Sequence, residues 1–483
     1  MTGLPDLDVV VIGAGAAGLA AAATLTAAGR SVVVVEAGSR IGGRIRSHRG
    51  PAGAVWELGA QVMHDRRNPI WPHFDADHGL KAFSDNNFRC LLDGRSLPLF
   101  ALARLGLPPW MIVPTLTTAS PPVPGSPARW LSDLPAAARR IGVAWLGQEW
   151  AADPVGFDVP EMLEIACATG ALGDEAVVVA GWDGLPEQLA AGLDVRISCP
   201  ARRLTLHNDG VVVETESGAV RAAAAVVTVP PWTVGNGRLE LAGLPSDKRY
   251  SAASLRGGDA VVAIVTISIA APEGVSVFDG DHGYGFLRAQ QGSGDIQIVA
   301  KGAGAQRLRS LLASTVSGGD EPPVAGAELS ALLAAALPWS TGAEISTVTV
   351  ADWGADPFIS GAFTSPTPGR SAHSAIWARP WAERVFFAGE STSPARGVGR
   401  VHGALASGLR AATELLAACP TPPRELALPA PPRELPFPAP PRELPFPAPP
   451  RELPFPAPPR ELPFPALPRE LHGAGFSPHF AER

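Results

Sequence analysis

Short apolar runs broken by glycine organise the start of the chain. Val9 to Ile12 is an unbroken run of β-branched residues, which predicts a strand buried on both faces. Gly13, Gly15 and Gly18 follow as G-x-G-x-x-G, and the alanine-rich stretch from Ala16 to Ala28 has strong helix propensity and stops at Gly29. Val32 to Val35 predicts a second parallel strand, closing on Glu36. Each glycine has a physical task in this setting. Gly13 permits the tight turn, Gly15 lets a pyrophosphate approach the backbone, and Gly18 lets helix and strand pack closely. The helix N-terminus supplies free N–H groups and a positive dipole end. Glu36 lies 21 residues after Gly15, where its carboxylate can accept hydrogen bonds from ribose hydroxyls. Alone the glycine motif is weak; between two strands, with the acid at that distance, it predicts a dinucleotide site.

Further along, the pattern alternates between legible and opaque. Arg40-Ile41-Gly42-Gly43-Arg44 predicts a turn that aims Arg44 back at the dinucleotide, where a guanidinium can grip a pyrophosphate. A small-residue step follows at Glu57-Leu58-Gly59-Ala60. Residues 61–179 read as a mixed helical subdomain whose tryptophans (Trp71, Trp110, Trp130, Trp145, Trp150) fill its core, with Ala119 to Pro127 as a loop. Strand signals return at Asp194 to Ile197, Arg203 to Leu206 and Val211 to Thr215, the last two joined by the hairpin turn His207-Asn208-Asp209-Gly210. Ala223 to Val229 ends at Pro230-Pro231, Ala260 to Ile269 reads as a buried strand, and Ile296 to Ala300 as another. Val385 to Phe387 leads into Gly389-Glu390, and a glycine-rich turn then opens a helix running to about Ala418.

Composition narrows the class. A length of 483 residues predicts two to three domains with ample core. Apolar residues make up 46% and charged ones only 18%, and the net charge is −7 with no basic stripe, which excludes a nucleic-acid partner. Cys90, Cys167, Cys199 and Cys419 lack C-x-x-C spacing, so neither a zinc site nor a disulfide framework is expected and a reducing compartment is. The chain enters its first strand without a signal-peptide pattern, and no apolar run reaches the ~18 residues that span a bilayer. A soluble, cytoplasmic protein without a bound metal is the expectation.

G-A-G-A-A-G-L with Glu36, then G-G-R, then E-L-G-A, resembles the opening of the flavin-containing amine oxidase superfamily, which includes monoamine, polyamine and L-amino-acid oxidases. The resemblance returns at Asp352-Trp353-Gly354-Ala355-Asp356-Pro357-Phe358-Ile359-Ser360-Gly361-Ala362-Phe363 and at Gly399-Arg400-Val401-His402-Gly403-Ala404. It implies an α/β fold: a discontinuous Rossmann-like FAD-binding domain (1–62, 180–252, 372–419) with an interleaved mixed sheet-plus-helix substrate domain (63–179, helical, and 253–371). The implied FAD contacts are Gly13, Gly15, Ala16, Ala17, Gly18, Glu36, Ala37, Gly43, Arg44, Gly59, Ala60, Ala201, Gly389, Glu390 and Val401. The substrate pocket would hold Trp353, Phe363 and Arg400, with Phe363 either one wall of an aromatic cage or a plain core residue. Ala362 stands where monoamine oxidases carry the cysteine that bonds FAD, so non-covalent FAD is implied. His402 reads as part of the helix-opening motif rather than as a base.

The activity implied is hydride transfer from a carbon bearing an amine to flavin N5, with reoxidation by oxygen or another acceptor. Two positions depart from the family. Val262 falls where many members place a lysine beside the flavin; Lys301, on the next strand, could reach inward, although a solvated strand-end residue is the favoured reading. Arg400 replaces a cage tyrosine or threonine; a guanidinium there would repel an ammonium by ~4 kcal/mol at about 4 Å and an effective dielectric near 20. Either the substrate carries a carboxylate for Arg400, or Arg400 points away. On the residues alone two rivals stay open: a C–C desaturase of the phytoene desaturase or protoporphyrinogen oxidase type, and a non-catalytic flavoprotein scaffold.

From Pro422 to Leu471 runs a nine-residue repeat, P-P-R-E-L-P-F-P-A, with Arg424, Arg433, Arg442, Arg451, Arg460 and Arg469 in register. Proline at this density predicts polyproline II and a disordered, semi-rigid tail over 420–483. The stripe of Phe437, Phe446, Phe455 and Phe464 could dock an aromatic groove on a protein partner; the plain repeat expansion is the favoured reading.

Overall fold

The computed structural model describes residues 7–50, 53–64, 79–82, 87–98, 102, 106–107, 127–168, 175–315 and 326–419. The Pro-rich tail, most of the 119–127 loop, Trp71 and Trp110 lie outside these residues, as does the side chain of Trp130.

Two sheets carry the architecture. The first has eight strands, in spatial order Asp194–Arg196, Val32–Val35, Leu7–Ile12, Gly218–Val227, Gly210–Thr215, Ala201–His207 and Glu240–Ala242, with Val385–Phe387 also paired to Gly218–Val227. That long strand works in halves: Gly218 to Ala222 pairs antiparallel with Thr215 to Val211, and Ala225 to Val227 pairs parallel with Val385 to Phe387. The opening strand is covered on both sides, which is why its sequence shows no alternation. Val9 and Val11 pack against the opening helix Ala16–Ala27 and the closing helix Val401–Ala418, while Val10 and Ile12 pack with Leu204, Trp377 and Phe387. Gly408 brings the two helices together, since a Cβ there would strike the carbonyl of Ala17. The opening helix ends as the sequence predicts: Gly29 takes φ +77°, its N–H donates to the Thr26 carbonyl at 2.9 Å and that of Arg30 to Leu25 at 3.0 Å, the Schellman arrangement.

The second sheet has seven strands, ordered Ile345–Asp352, Ala260–Ile267, Asp295–Lys301, Gly285–Ala289, Val275–Asp279, Phe88–Leu92 and Arg95–Pro98. Alternate residues divide its two faces. Val261, Ala263, Val265, Ile296 and Ile298 face a core with the helices Ala303–Thr315 and Ala327–Ala336. Ala260, Val262, Ile264 and Val299 face the other way, onto Trp56, Leu58, Trp353 and Ala362.

The 63–179 segment, expected to be helical, is corrected in part. It supplies the helices Ala136–Trp150 and Val159–Ala168, and Trp150 is buried beside Ile141, Met162 and Phe278. It also supplies strands, including the Phe88–Leu92/Arg95–Pro98 hairpin at the edge of the second sheet. The overlooked signal is Asp93-Gly94, both at positive φ (50° and 68°), a two-residue hairpin turn. Asp281 accepts the N–H groups of both turn residues.

A buried ion pair ties this segment to the helix Arg370–Ala378. Arg370, 1% exposed, donates to Glu161 at 2.9 Å and to Glu164 at 3.2 Å, while the Ser371 N–H and hydroxyl complete Glu161. Removing one partner of such a pair leaves a charge buried alone, so Arg370→Met should destabilise the fold by about 3–5 kcal/mol, read from the denaturant midpoint.

Glu57 gives a second prediction. Its carboxylate accepts from the Ser47 hydroxyl and the Trp182 N–H, and burial pushes its pKa from the ordinary 4.5 up to about 7. A raised acid contributes stability that is fully present below about pH 4.5 and lost as pH rises through about 7. Glu57→Gln should therefore flatten the stability–pH profile across that interval, by about 3 kcal/mol at about 1.36 kcal/mol per unit. Thermal melts from pH 4 to 8 read it directly.

Candidate active site

The carboxyl ends of the parallel strands of the first sheet bring the opening motif together, the place where open α/β sheets bind ligands. Gly13 leaves the first strand at φ +105°, and a Cβ there would sit 2.7 Å from the Thr228 hydroxyl at the end of the neighbouring strand. At Gly18 a Cβ would strike the Gly13 carbonyl, so the helix lies directly on the turn. Gly15, at the N-cap of the helix, has no protein atom within 4 Å of where its Cβ would be. Gly43 comes to 3.4 Å from the Gly15 Cα by the same measure. An open space before a helix N-terminus, kept clear by glycine on two sides, fits a dinucleotide pyrophosphate. Ala16 and Ala17 form the first buried turn of that helix.

Glu36 stands at the end of the second strand. Its Oε2 accepts from the Ala14 N–H and its Oε1 from the Gly38 N–H, both at 2.7 Å. Burial raises its pKa, and those two donors oppose the rise. Ala37 is half-buried beside it, and Ala201 opens a strand two residues after Cys199, whose N–H donates to the Glu36 carbonyl at 2.8 Å.

The Gly42-Gly43 turn, at φ +97° and +57°, is held by Arg40, which donates to the carbonyls of Ile41, Gly43 and Ile45 at 3.0, 2.6 and 2.9 Å. The sequence reading gave Arg40 no role; its partners are backbone carbonyls, which leave no side-chain signature. The turn presents Arg44, whose Nη1 donates to the Ala362 carbonyl at 2.6 Å and to Glu390 Oε1 at 3.0 Å. Glu390 is buried and also accepts from the Thr364 hydroxyl and the Gly399 N–H. Gly389, at φ +116°, donates to the Ser407 hydroxyl, fixing the strand end against the closing helix, and Val401 opens that helix half-buried. Gly59 packs against the Arg44 carbonyl, and the Ala60 N–H donates to the same carbonyl at 3.0 Å.

Trp353 is buried with Trp56, Leu58 and Ala362, and its Nε1 donates to the Leu58 carbonyl at 2.7 Å, so it braces the Gly59 turn from beneath. Phe363 is half-buried next to Gly399, whose Cβ would come within 3.3 Å of the ring. Arg400 follows as the half-buried N-cap residue of the closing helix. His402 Nε2 lies 3.0 Å from the Arg396 carbonyl, an acceptor, so that nitrogen carries a hydrogen.

Lys301 takes the inward of the two courses open to it in the sequence. It is not a solvated strand end: its Nζ sits 5.3 Å from the centre of the Phe363 ring, and burial lowers its pKa, with Arg288 and Arg400 adding to the effect and Glu149 opposing it. Gln148, 2% exposed, fixes the end of its strand by accepting from the Lys301 N–H and donating to the Val299 carbonyl, both at 2.8 Å. Val262 is buried on the same face.

A family model described as flavin containing amine oxidoreductase matches residues 16–120 and 161–416, more than half of the chain. Polyamine oxidase 4 of Oryza sativa subsp. japonica is 27% identical over 452 residues, covering 84% of this chain and 88% of the rice protein. Putrescine oxidase of Kocuria rosea is 30% identical over 281 residues, covering 47% of this chain and 57% of its own length. Among solved structures, cyclohexylamine oxidase from Brevibacterium oxydans IH-35A superposes with a TM-score of 0.65 at 21% identity, over 86% of this chain and 99% of that one, which shows a common fold. Neither the desaturase nor the scaffold reading is favoured by these matches. No described helix is long and apolar enough to cross a membrane. The chain belongs to the flavin-containing amine oxidoreductase family and is an FAD-dependent oxidoreductase.

Proposed function

We propose that the enzyme oxidises the carbon–nitrogen bond of a small-molecule amine or amino acid and passes the electrons to oxygen or another acceptor. The observation that carries this reading is the Arg44 guanidinium, which bonds Glu390 and the carbonyl of Ala362, next to the Phe363 wall, from a loop that also borders Gly15. One residue thus links a dinucleotide cradle to an aromatic face. Relatives named for polyamine and putrescine oxidation support the amine assignment.

FAD, when bound, supplies the two-electron acceptor for the hydride. Gly13, Gly15, Ala16, Ala17 and Gly18 would seat its pyrophosphate on the helix N-terminus, Glu36 and Ala37 its ribose, and Ala201 its adenine through backbone atoms. Gly43, Arg44, Gly59 and Ala60 would line the middle of the cofactor, and Gly389, Glu390 and Val401 its flavin end. Ala362 offers no thiol, so the cofactor is held without a covalent bond. Phe363, with Trp353 behind it and Arg400 beside it, forms the substrate side. The Lys301 ammonium over Phe363 and Arg400 beside it disfavour a second cation there, so the amine would react in neutral form, which needs no general base before the hydride leaves.

Anaerobic mixing of the full-length holoprotein with amines, amino acids and polyenes tests the reaction. Amines or amino acids should bleach the flavin band near about 450 nm; bleaching by polyenes alone would overturn the assignment. Arg44→Gln should weaken FAD retention at least tenfold, about 1.4 kcal/mol. Acid precipitation of the wild type should leave all flavin in the supernatant.

A further inference from the structure

We propose that two copies of this chain join edge to edge through the strand Ile345–Asp352, paired antiparallel across a two-fold axis at Thr349, so that their seven-stranded sheets run on as one.

This strand ends the second sheet, with Ala260–Ile267 on its inner side. The Trp353 N–H donates to the Ala260 carbonyl at 2.9 Å, which sets the phase of the ladder. Counting back by twos, Ala351, Thr349 and Thr347 turn their backbone groups toward Val262, Ile264 and Thr266, so Val350 and Val348 turn theirs outward. Among the described residues, none accepts the N–H of Val348 or Val350. Ser346, Thr347 and Val350 are exposed, the last at 37%.

An open edge is a template for another strand, and proteins guard such edges with charge, proline or shortness. The other ends of the two large sheets are guarded in this way. Arg95–Pro98 carries both an arginine and a proline, Asp194–Arg196 is three residues long and charged at both ends, and Glu240–Ala242 is three residues opening on a carboxylate. Ile345–Asp352 has eight residues, I-S-T-V-T-V-A-D, β-branched at five of them and uncharged until the last.

The occupant is a second copy because the strand complements itself in one register. Outward groups must meet outward groups, which allows an axis at Thr347, Val348 or Thr349. At Val348 the axis would set Glu344 of each copy opposite Asp352 of the other, like charge on like charge, and at Thr347 it would set Glu344 opposite Val350. At Thr349 no like charges meet. Val348 then lies opposite Val350 of the second copy and Val350 opposite its Val348, each pair exchanging both backbone hydrogen bonds, while Ser346 falls opposite Asp352. Val348 and Val350 stand on the same face as their partners Val265 and Ala263, the face covered by helices, so four valines from the two copies cover one another and the exposed Val350 leaves water. A two-fold pairing uses the edge once and closes. The Pro-rich repeat is a poor substitute: between Pro429 and Pro468 at most three residues separate prolines, which lack the N–H a ladder needs.

The test uses the flavin-loaded full chain. Gel filtration with light scattering at micromolar concentration should give about 100 kDa, twice the 49.9 kDa of one chain. Val350→Lys sets like charges diagonally across the axis, and Val350→Pro removes an outward N–H while leaving the inner ladder intact. Both should run as monomers with unchanged flavin content. Thr349 meets its own copy at a non-hydrogen-bonded position, where Cα atoms lie about 4.5 Å apart, within the span of a disulfide. Thr349→Cys should therefore give a disulfide-linked dimer when diamide oxidises the two thiols; Thr347→Cys and the wild type, treated alike, should not. A monomeric wild type, a Val350→Lys variant that stays dimeric, or cross-linking by Thr347→Cys in place of Thr349→Cys would overturn the proposal. If either Val350 variant loses flavin, the cross-link decides alone.

Discussion

The Arg44–Glu390 ion pair joins residues 346 positions apart in the chain and meets most of what the site is made of. Glu390 has no solvent to rely on: its side chain is 6% exposed, and its oxygens are met by Arg44, the Thr364 hydroxyl and the Gly399 N–H. A carboxylate so placed is tolerated only while its donors stay in place, because burying it unpaired costs several kcal/mol. Those donors come from three stretches: the glycine turn after the second strand, the segment after Trp353, and the turn before the closing helix. Arg44 also holds the Ala362 carbonyl, so the wall residue Phe363 cannot shift independently of the dinucleotide cradle.

Much of the first sheet was legible because its signals are local. The run Val9 to Ile12, the glycine spacing, the helix stop at Gly29 and the hairpin at His207 to Gly210 each depend on neighbours within a few residues. The second sheet was legible where a strand is long and β-branched, as at Ala260–Ile267, and was missed at Phe88–Leu92, whose apolar run is mixed with Arg89 and Cys90 and whose one local signal is the Asp93-Gly94 turn to Arg95–Pro98. The site divides on the same principle. Motif residues could be named from spacing, but Lys301 could not, because its direction depends on which residue of the next strand it faces and on Gln148 arriving from a separate helix.

Trp353 shows the converse. Its motif was plain in the sequence, yet the motif does not say what the ring touches. The indole N–H is spent on the Leu58 carbonyl and the ring lies under Gly59, where a Cβ would come within 3.2 Å of it. The Glu57-Leu58-Gly59-Ala60 step must be small at its third position chiefly because a Cβ there would strike the Arg44 carbonyl, and the indole closes the space from the other side. The hydrogen bond that holds the indole there joins residues 295 positions apart.

The place of the Lys301 cation follows from sheet geometry. Lys301 faces Ala260, two positions along the strand from Val262. Diagonal neighbours of this kind lie about 7–8 Å apart, a distance a lysine side chain nearly spans. The Lys301 amine therefore stands on the same face of the sheet as Val262 and over Phe363. A cation over an aromatic face occupies the surface that would otherwise attract a cationic substrate.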